Sequence, residues 1–250
     1  MAGAGLYILG RARMTETRTY HGITLDIVRS STERICYIIL PEGLKDDGRA
    51  WMEQAAERFS CSIVAMSGMD WNSDLTPWRA DGVFRKSKPF TGNADLFLKD
   101  LCGDYFPSIE LQLGLKHPER FLAGVSLSGL FAIWSIFRCE SFIGIASVSG
   151  SLWYDGFASW TKEQAPSASV RKVFVSLGDR EKRSKDRRMA TVEEMTLQVV
   201  DNLREKGVRT EFVLEENKTH FSPVVPRLEK ALESLFSDSS TGINTDENAV

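Results

Sequence analysis

FLAGVSLSGLF, at residues 121–131, is the most informative segment of the chain. Its first five residues are apolar or small and predict a buried strand, and the apolar spacing from Leu127 onward predicts a helix. A serine in a sharp strand-to-helix turn, with small residues two positions to either side, forms the G-x-S-x-G nucleophile elbow. Gly124 fills the first small position, whereas Ser128 fills the second and the glycine comes one position later. We therefore predict that Ser126 is a nucleophile in a slightly shifted motif.

Other interpretations of the nearby serines stay open at this point. Serine is a common helix N-cap, so Ser126 could simply begin the helix. Ser128 is a poorer nucleophile candidate, because Ser126 and Leu130 occupy the positions that should be small. Ser149 also ends a predicted strand, but no amphipathic helix follows it at once, and it is therefore predicted to form a pocket wall.

The start of the predicted helix offers a place for a negatively charged oxygen. The first N–H groups of a helix have no partner within it, and the helix dipole makes this end positive. The N–H of Leu127 would supply one half of an oxyanion hole. The other half is predicted in the loop after the strand that ends at Leu40, around Glu42, Gly43 and Leu44.

Strands and helices alternate along most of the chain. This alternation, with several continuously apolar strands, predicts an α/β fold with a mostly parallel central sheet flanked by helices on both faces. Ligands of such sheets bind at the carboxyl ends of the strands. The predicted strands are 19–28, 34–40, 61–66, 121–125, 142–148, 172–177 and 209–214, and the predicted helices are 48–59, 94–113 with a break near Pro107, 127–137, 190–206 and 222–236.

Only three histidines are available as a base for a serine nucleophile. His21 lies in the first predicted strand, before the serine, and His117 lies at the amino end of a strand. His220 follows the last strand, which is the correct edge of the sheet and the correct place in the order serine, acid, histidine. The acid should follow the strand before it, where Glu181 is favoured and Asp179 is a close alternative.

Composition narrows the classes of partner. The chain has 31 Lys+Arg and 34 Asp+Glu, a formal net charge of −3, which gives no electrostatic case for nucleic acid or an anionic membrane. No apolar run approaches the roughly 20 residues of a membrane helix. The sequence contains no C-x-x-C pair, so we predict no zinc ribbon but buried, reduced thiols in a cytoplasmic protein. These thiols are Cys36, Cys61, Cys102 and Cys139.

No linker or internal repeat divides the chain, which predicts one domain at residues 16–236. Residues 1–15 are predicted to be a loose leader, in which Met14 is an alternative start. Residues 237–250 are polar and small and are predicted to be a disordered tail.

With these residues in view, residues 35–227 resemble the esterase branch of the α/β-hydrolases, which includes enterochelin esterases and esterase D. The resemblance implies an α/β-hydrolase fold and a Ser126–His220–Glu181 triad that acts on an ester or thioester through an acyl-enzyme, with no metal or organic cofactor. It rests on six segments in order, which are DWNSDLTPW at 70–78, FTGNAD at 90–95, the elbow at Ser126, SVSGSLW at 147–153, SLGDRE at 176–181 and HF at 220–221.

Three tryptophans, Trp71, Trp78 and Trp153, fall in loops at the carboxyl edge of the predicted sheet. They would form an aromatic wall of a substrate pocket or pack the loops together. The predicted function is hydrolysis of a small-molecule ester or thioester by a serine hydrolase. An acyltransferase and a catalytically impaired binding protein on the same fold are the alternatives, and a homo-oligomer is compatible with the sequence.

Overall fold

The computed structural model describes residues 14–83 and 87–237. Residues 1–13 of the predicted leader and 238–250 of the predicted tail lie outside the described residues. The elements are β1 (Glu16–Tyr20), β2 (Ile23–Val28), β3 (Arg34–Ile39), α1 (Asp46–Arg58), β4 (Ser62–Ser67), α2 (Ala94–Asp100), α3 (Phe106–Leu113), β5 (Glu119–Val125), α4 (Leu127–Ser135), β6 (Gly144–Val148), α5 (Phe157–Glu163), β7 (Lys172–Gly178), α6 (Val192–Glu205), β8 (Thr210–Glu215) and α7 (Val225–Phe236).

Eight strands form one sheet in the order β1-β2-β4-β3-β5-β6-β7-β8. β2 runs antiparallel to β1 and β4, and every other neighbouring pair is parallel. The predicted α/β fold with a mostly parallel sheet is therefore confirmed. Strands β5 to β8 lie side by side, so the residues that follow them meet at one edge.

Apolar cores cover both faces of the sheet. Along β3, the side chains of Ile35, Tyr37 and Ile39 pack on one face and those of Cys36 and Ile38 on the other, all with 0% of their surface exposed. Helices α2 to α6 contribute to the first core, and α1 and α7 to the second. Burial on both faces explains why this strand is continuously apolar in sequence.

The first predicted strand, 19–28, was wrong as a single element. It is a hairpin of β1 and β2 whose turn is His21-Gly22, and both turn residues have positive φ, at 46° and 84°. Positive φ at both central residues is what a two-residue hairpin turn of type I′ requires. The Asn-Gly or Asp-Gly pair that usually indicates a hairpin turn is absent, so this turn was not predicted from the sequence. His21 thus lies in a turn and not in a strand.

The helix predicted to break near Pro107 departs from α-helical geometry just before that residue. Pro107 lies in the first turn of α3, and α2 runs into α3 through one π-helical turn, Leu101–Tyr105. A proline has no N–H for the carbonyl four residues earlier and its ring crowds that carbonyl, so the helix widens just upstream instead of ending. Helix α5 was not predicted at all.

No helix within residues 14–83 and 87–237 is both long enough and apolar enough to cross a bilayer.

Candidate active site

Ser126 occupies a strained turn between β5 and α4. Its backbone has φ 61° and ψ −123°, a region that non-glycine residues rarely adopt. The N–H of Ser126 donates to the carbonyl oxygen of Val148 at 3.2 Å, and its carbonyl accepts the N–H of Leu130 at 3.1 Å. The strand therefore ends and the helix begins at the same residue, as a nucleophile elbow requires.

Close packing around the elbow explains why Ser128 is accommodated. A Cβ added to Gly124 would stand 2.1 Å from the carbonyl oxygen of Ser128, so strand and helix are in backbone contact. The hydroxyl of Ser128 is fully buried, accepts the N–H of Val125 at 2.7 Å and lies 2.7 Å from the carbonyl oxygen of Ile39. Its hydrogen bonds are therefore satisfied inside the sheet, and Ser128 does not face the cavity described below.

Replacing Gly124 with alanine is expected to cost about 3 kcal/mol of unfolding free energy or to prevent folding, because the new methyl group meets backbone atoms. Gly103→Ala is the matched control. Nothing lies within 4 Å of the methyl group it adds, and it should stabilise the π-helical turn by about 0.5–1 kcal/mol. Urea unfolding of both variants measures the difference. Equal effects of the two substitutions would contradict the close approach at Gly124.

His220 lies between Ser126 and Glu181. Its Nε2 is 3.0 Å from Oγ of Ser126, and its Nδ1 is 2.9 Å from Oε2 of Glu181. An ionised carboxylate only accepts hydrogen bonds, so Nδ1 carries the proton and Nε2 accepts the hydroxyl proton of Ser126. Three residues separated in sequence, each after a different strand, thus form one hydrogen-bonded chain.

Glu181 begins a short 3₁₀ turn after β7, and its side chain is buried. Burial alone would raise the pKa of its carboxyl group. The hydrogen bonds from His220, from the Ser149 hydroxyl and from the N–H of Gly178 outweigh burial and hold that pKa below its ordinary value. The carboxylate is therefore ionised at neutral pH. Asp179, the alternative acid, makes no hydrogen bond to His220 in the described part of the chain.

The residues predicted for the oxyanion hole lie in two different places. Leu127 is the first residue of α4 and lines the cavity next to Ser126. Gly43 and Leu44 lie in the loop between β3 and α1, where Gly43 is exposed and Leu44 packs against Gly48. Neither residue lines the cavity, so their part in the hole stays a prediction.

A cavity of about 260 Å³ opens above Ser126 and His220. Of the three predicted aromatic residues, Trp71 and Trp153 line it and Trp78 does not. The indole N–H of Trp78 instead donates to the carbonyl oxygen of Asp155 at 2.9 Å. Trp78 therefore follows the second of the two predictions for these tryptophans, because it packs its loop against the unpredicted helix α5 and does not line the pocket. Further walls come from Val83, Phe90, Leu127, Met189 and Phe221, with the polar side chains Asn72, Ser87, Lys88 and Ser151.

Two site residues escaped sequence reasoning. Ser149 was predicted to be a pocket wall, but it does not line the cavity and donates to Glu181 instead. Arg227 of α7 places Nη2 3.6 Å from Oε1 of Glu181, and an arginine on an amphipathic helix carries no sequence signal of such a position.

Within residues 14–83 and 87–237, no group of three or more His, Cys, Asp or Glu could hold a metal ion.

The strand order, the antiparallel second strand and the serine elbow after β5 define an α/β-hydrolase fold. No protein-family model matches the chain. The uncharacterized protein YbbA of Bacillus subtilis is 31% identical over 137 residues, which cover 54% of this chain and 55% of YbbA, so the chain spans about half the length of this curated relative.

Solved structures share the fold over nearly the whole chain. An IroE-like serine hydrolase from Shewanella oneidensis has a TM-score of 0.72 at 17% identity, covering 90% of this chain and 80% of its own. The siderophore hydrolase EstA from Aspergillus nidulans has a TM-score of 0.64 at 19% identity, covering 96% and 99%. The BES protein from Bacillus cereus has a TM-score of 0.65 at 18% identity, covering 94% and 99%. This chain has the α/β-hydrolase fold.

Proposed function

We propose that the protein is a serine hydrolase that cleaves a carboxylic ester or thioester through an acyl-enzyme. The observation that carries this proposal is the continuous hydrogen-bonded chain from Glu181 through His220 to Ser126, with distances of 2.9 Å and 3.0 Å, at a strained elbow that opens into a cavity. If Ser126 served only as a helix N-cap, it would need neither His220 nor the buried Glu181 beside it. Structures named as a serine hydrolase and as a siderophore hydrolase share the fold, which supports hydrolytic chemistry.

In this mechanism, Ser126 Oγ attacks the carbonyl carbon while His220 Nε2 takes the hydroxyl proton. The ionised Glu181 holds the proton on Nδ1 and stabilises the imidazolium that forms. His220 then gives its proton to the leaving alcohol or thiol. Water, activated by the same imidazole, attacks the acyl group and regenerates Ser126.

The oxyanion would lie at the start of α4. The N–H of Leu127 is free of an intrahelical partner by its position and sits at the positive end of the helix dipole. The loop that contains Gly43 and Leu44 would supply the second donor. Such a donor stabilises the negative charge that develops on the carbonyl oxygen in the transition state more than it stabilises the uncharged carbonyl of the bound substrate.

The cavity favours a small substrate with an apolar acyl group. Trp71, Trp153 and Phe90 provide flat walls, and a volume of about 260 Å³ is at the low end for ligand pockets.

We also propose the cytoplasm as the compartment, which fits four cysteines that are all free.

A fluorophosphonate probe tests the proposal directly. The probe phosphonylates a serine only when a base activates it, so wild-type protein should become labelled and peptide mapping should place the adduct on Ser126. Ser126→Ala should not be labelled and should release no p-nitrophenol from p-nitrophenyl acetate. A folded wild-type protein that resists the probe would favour a binding protein on this fold.

A further inference from the structure

The turn Ser149–Gly150–Ser151 follows β6 and contacts two members of the triad at once. Ser149 donates to Glu181 at one end of the triad, and Ser151 lies against Ser126 at the other end. Within this turn, the sequence predicted a role for Ser149 alone, as a pocket wall.

The Ser149 end holds the acid. Ser149 is fully buried with φ 47°, and such a strained non-glycine residue persists only where its surroundings hold it. Its N–H donates to the carbonyl oxygen of Ser176 at 2.8 Å, and its hydroxyl donates to Oε1 of Glu181. The N–H of Gly178 donates to the same Oε1 at 2.8 Å. Because Oε1 has these two donors, Oε2 is left to face His220.

The Ser151 end touches the nucleophile. Ser151 is 2% exposed, lines the cavity, and places Oγ 3.4 Å from Oγ of Ser126. Ser126 has one hydroxyl proton and donates it to His220, so Ser151 is the donor in the bond between the two serines. The N–H of Ser151 also donates to the carbonyl oxygen of Ser126 at 2.9 Å, which fixes the two residues against each other.

Gly150 packs the turn directly against α4. A Cβ added to Gly150 would stand 2.2 Å from Oγ of Ser147 and 3.3 Å from the carbonyl carbon of Gly129. The turn therefore has little room to move away from the elbow, and the distance between Ser151 and Ser126 is set by backbone packing.

We propose that this turn is a working part of the catalytic site, with Ser151 as a catalytic residue that donates to Ser126 Oγ and Ser149 as the positioning residue of the acid. The inference rests on the proposed triad. During acylation the O–H bond of Ser126 breaks, its proton passes to His220 Nε2, Oγ bonds to the carbonyl carbon, and the π-electron pair of the C=O bond moves onto the carbonyl oxygen. That oxyanion collapses when the leaving group takes its proton from His220. Ser151 keeps its own proton throughout and stabilises the negative charge that builds on Oγ during this transfer.

Replacing Ser151 with alanine is expected to slow fluorophosphonate labelling and to lower kcat for p-nitrophenyl acetate by about 3- to 10-fold, the effect of a hydrogen bond between two hydroxyl groups. KM should change little, because the lost bond forms to the nucleophile and not to bound substrate. Ser151→Thr keeps a hydroxyl and should retain more activity than alanine. Ser147→Ala is the matched control, since Ser147 Oγ is buried close by and has no hydrogen-bond partner among the described residues.

Ser149→Gly tests the other end of the turn. Glycine relieves the positive φ, which offsets part of the stability lost with the hydrogen bond to the buried Glu181, so the unfolding midpoint should fall only slightly. Loss of the donor to Glu181 should lower kcat by about 10-fold and leave KM unchanged. Wild-type kcat in this variant would overturn the role of Ser149.

Separate outcomes overturn the inference and the proposed function. Wild-type labelling rate and kcat in Ser151→Ala, or an equal loss in Ser147→Ala, would overturn the role of Ser151 while an inactive Ser126→Ala leaves the triad intact. An active Ser126→Ala would overturn the proposed function itself.

Discussion

Replacing His220 with asparagine is expected to lower kcat/KM for a short-chain p-nitrophenyl ester by about 10⁴- to 10⁶-fold, because members of a triad act as a unit. His220 is the histidine whose ring nitrogen reaches Ser126 Oγ, and without it nothing takes the hydroxyl proton. Asparagine is polar and smaller than the imidazole, so the half-buried site should still fold. Steady-state kinetics and an unfolding curve of the same preparation measure the two effects separately.

The other two histidines provide matched controls for the same substitution. His21 lies in the β1–β2 turn with φ 46°, a conformation that asparagine adopts readily, and its Nε2 is 3.3 Å from Asp104. His117 is exposed, and its main-chain N–H donates to Glu33 at 2.9 Å. His21→Asn and His117→Asn should keep near wild-type activity. Comparable losses in all three variants, or an active His220→Asn, would contradict the assignment of the base.

The proposed base and nucleophile could be predicted from the sequence because both positions depend on the order of strands. Ser126 and His220 each follow a parallel strand, and parallel strands end at the same edge of a sheet. The choice between Glu181 and Asp179 depends on the turn after β7. There the N–H of Gly178 donates a hydrogen bond to the Glu181 carboxylate, which directs this carboxylate toward the interior of the protein. The sequence therefore favoured Glu181 without excluding Asp179, because this contact forms only when the turn folds.

What the sequence missed depends on contacts between distant segments. Trp78 faces Tyr154 and Trp160 because helix α5 docks there, and α5 itself was not predicted. Ser149 was predicted to be a pocket wall because it ends a predicted strand with no helix directly after it. Its side chain instead reaches Glu181 from a residue with positive φ, which the sequence does not reveal. Arg227 lies on an amphipathic helix, where sequence pattern places arginine toward solvent.

Arg227→Met is expected to lower the free energy of unfolding by about 3 kcal/mol, because it removes one partner of a buried ion pair. Arg227 is 2% exposed and Glu215, at the end of β8, is 4% exposed. The Nε of Arg227 donates to Oε2 of Glu215, and its Nη2 lies 3.6 Å from Oε1 of Glu181. Without the guanidinium, two buried carboxylates lose their shared counter-charge. Urea unfolding at neutral pH measures the loss.

Lys230→Met is the control from the same helix and against the same partner. Nζ of Lys230 is 3.3 Å from Oε1 of Glu215, but the lysine side chain is 53% exposed. Exposed ion pairs contribute less than about 1 kcal/mol, so this variant should lose far less than Arg227→Met. Equal losses in the two variants would mean that burial of Arg227 does not decide the energy of the pair.

The double variant Arg227→Met with Glu215→Leu separates two contributions to the stability loss. One is the lost attraction between Arg227 and Glu215, and the other is the cost of leaving the Glu215 carboxylate buried without a partner. If the cost of Arg227→Met is mainly the buried carboxylate left behind, removing that carboxylate should restore most of the stability. Recovery should be incomplete, because Glu181 still loses a neighbouring cation. Glu181 keeps its three donors, His220, Ser149 and Gly178, and therefore stays ionised without Arg227. A double variant less stable than Arg227→Met would show instead that Glu215 stabilises the fold through contacts other than this pair.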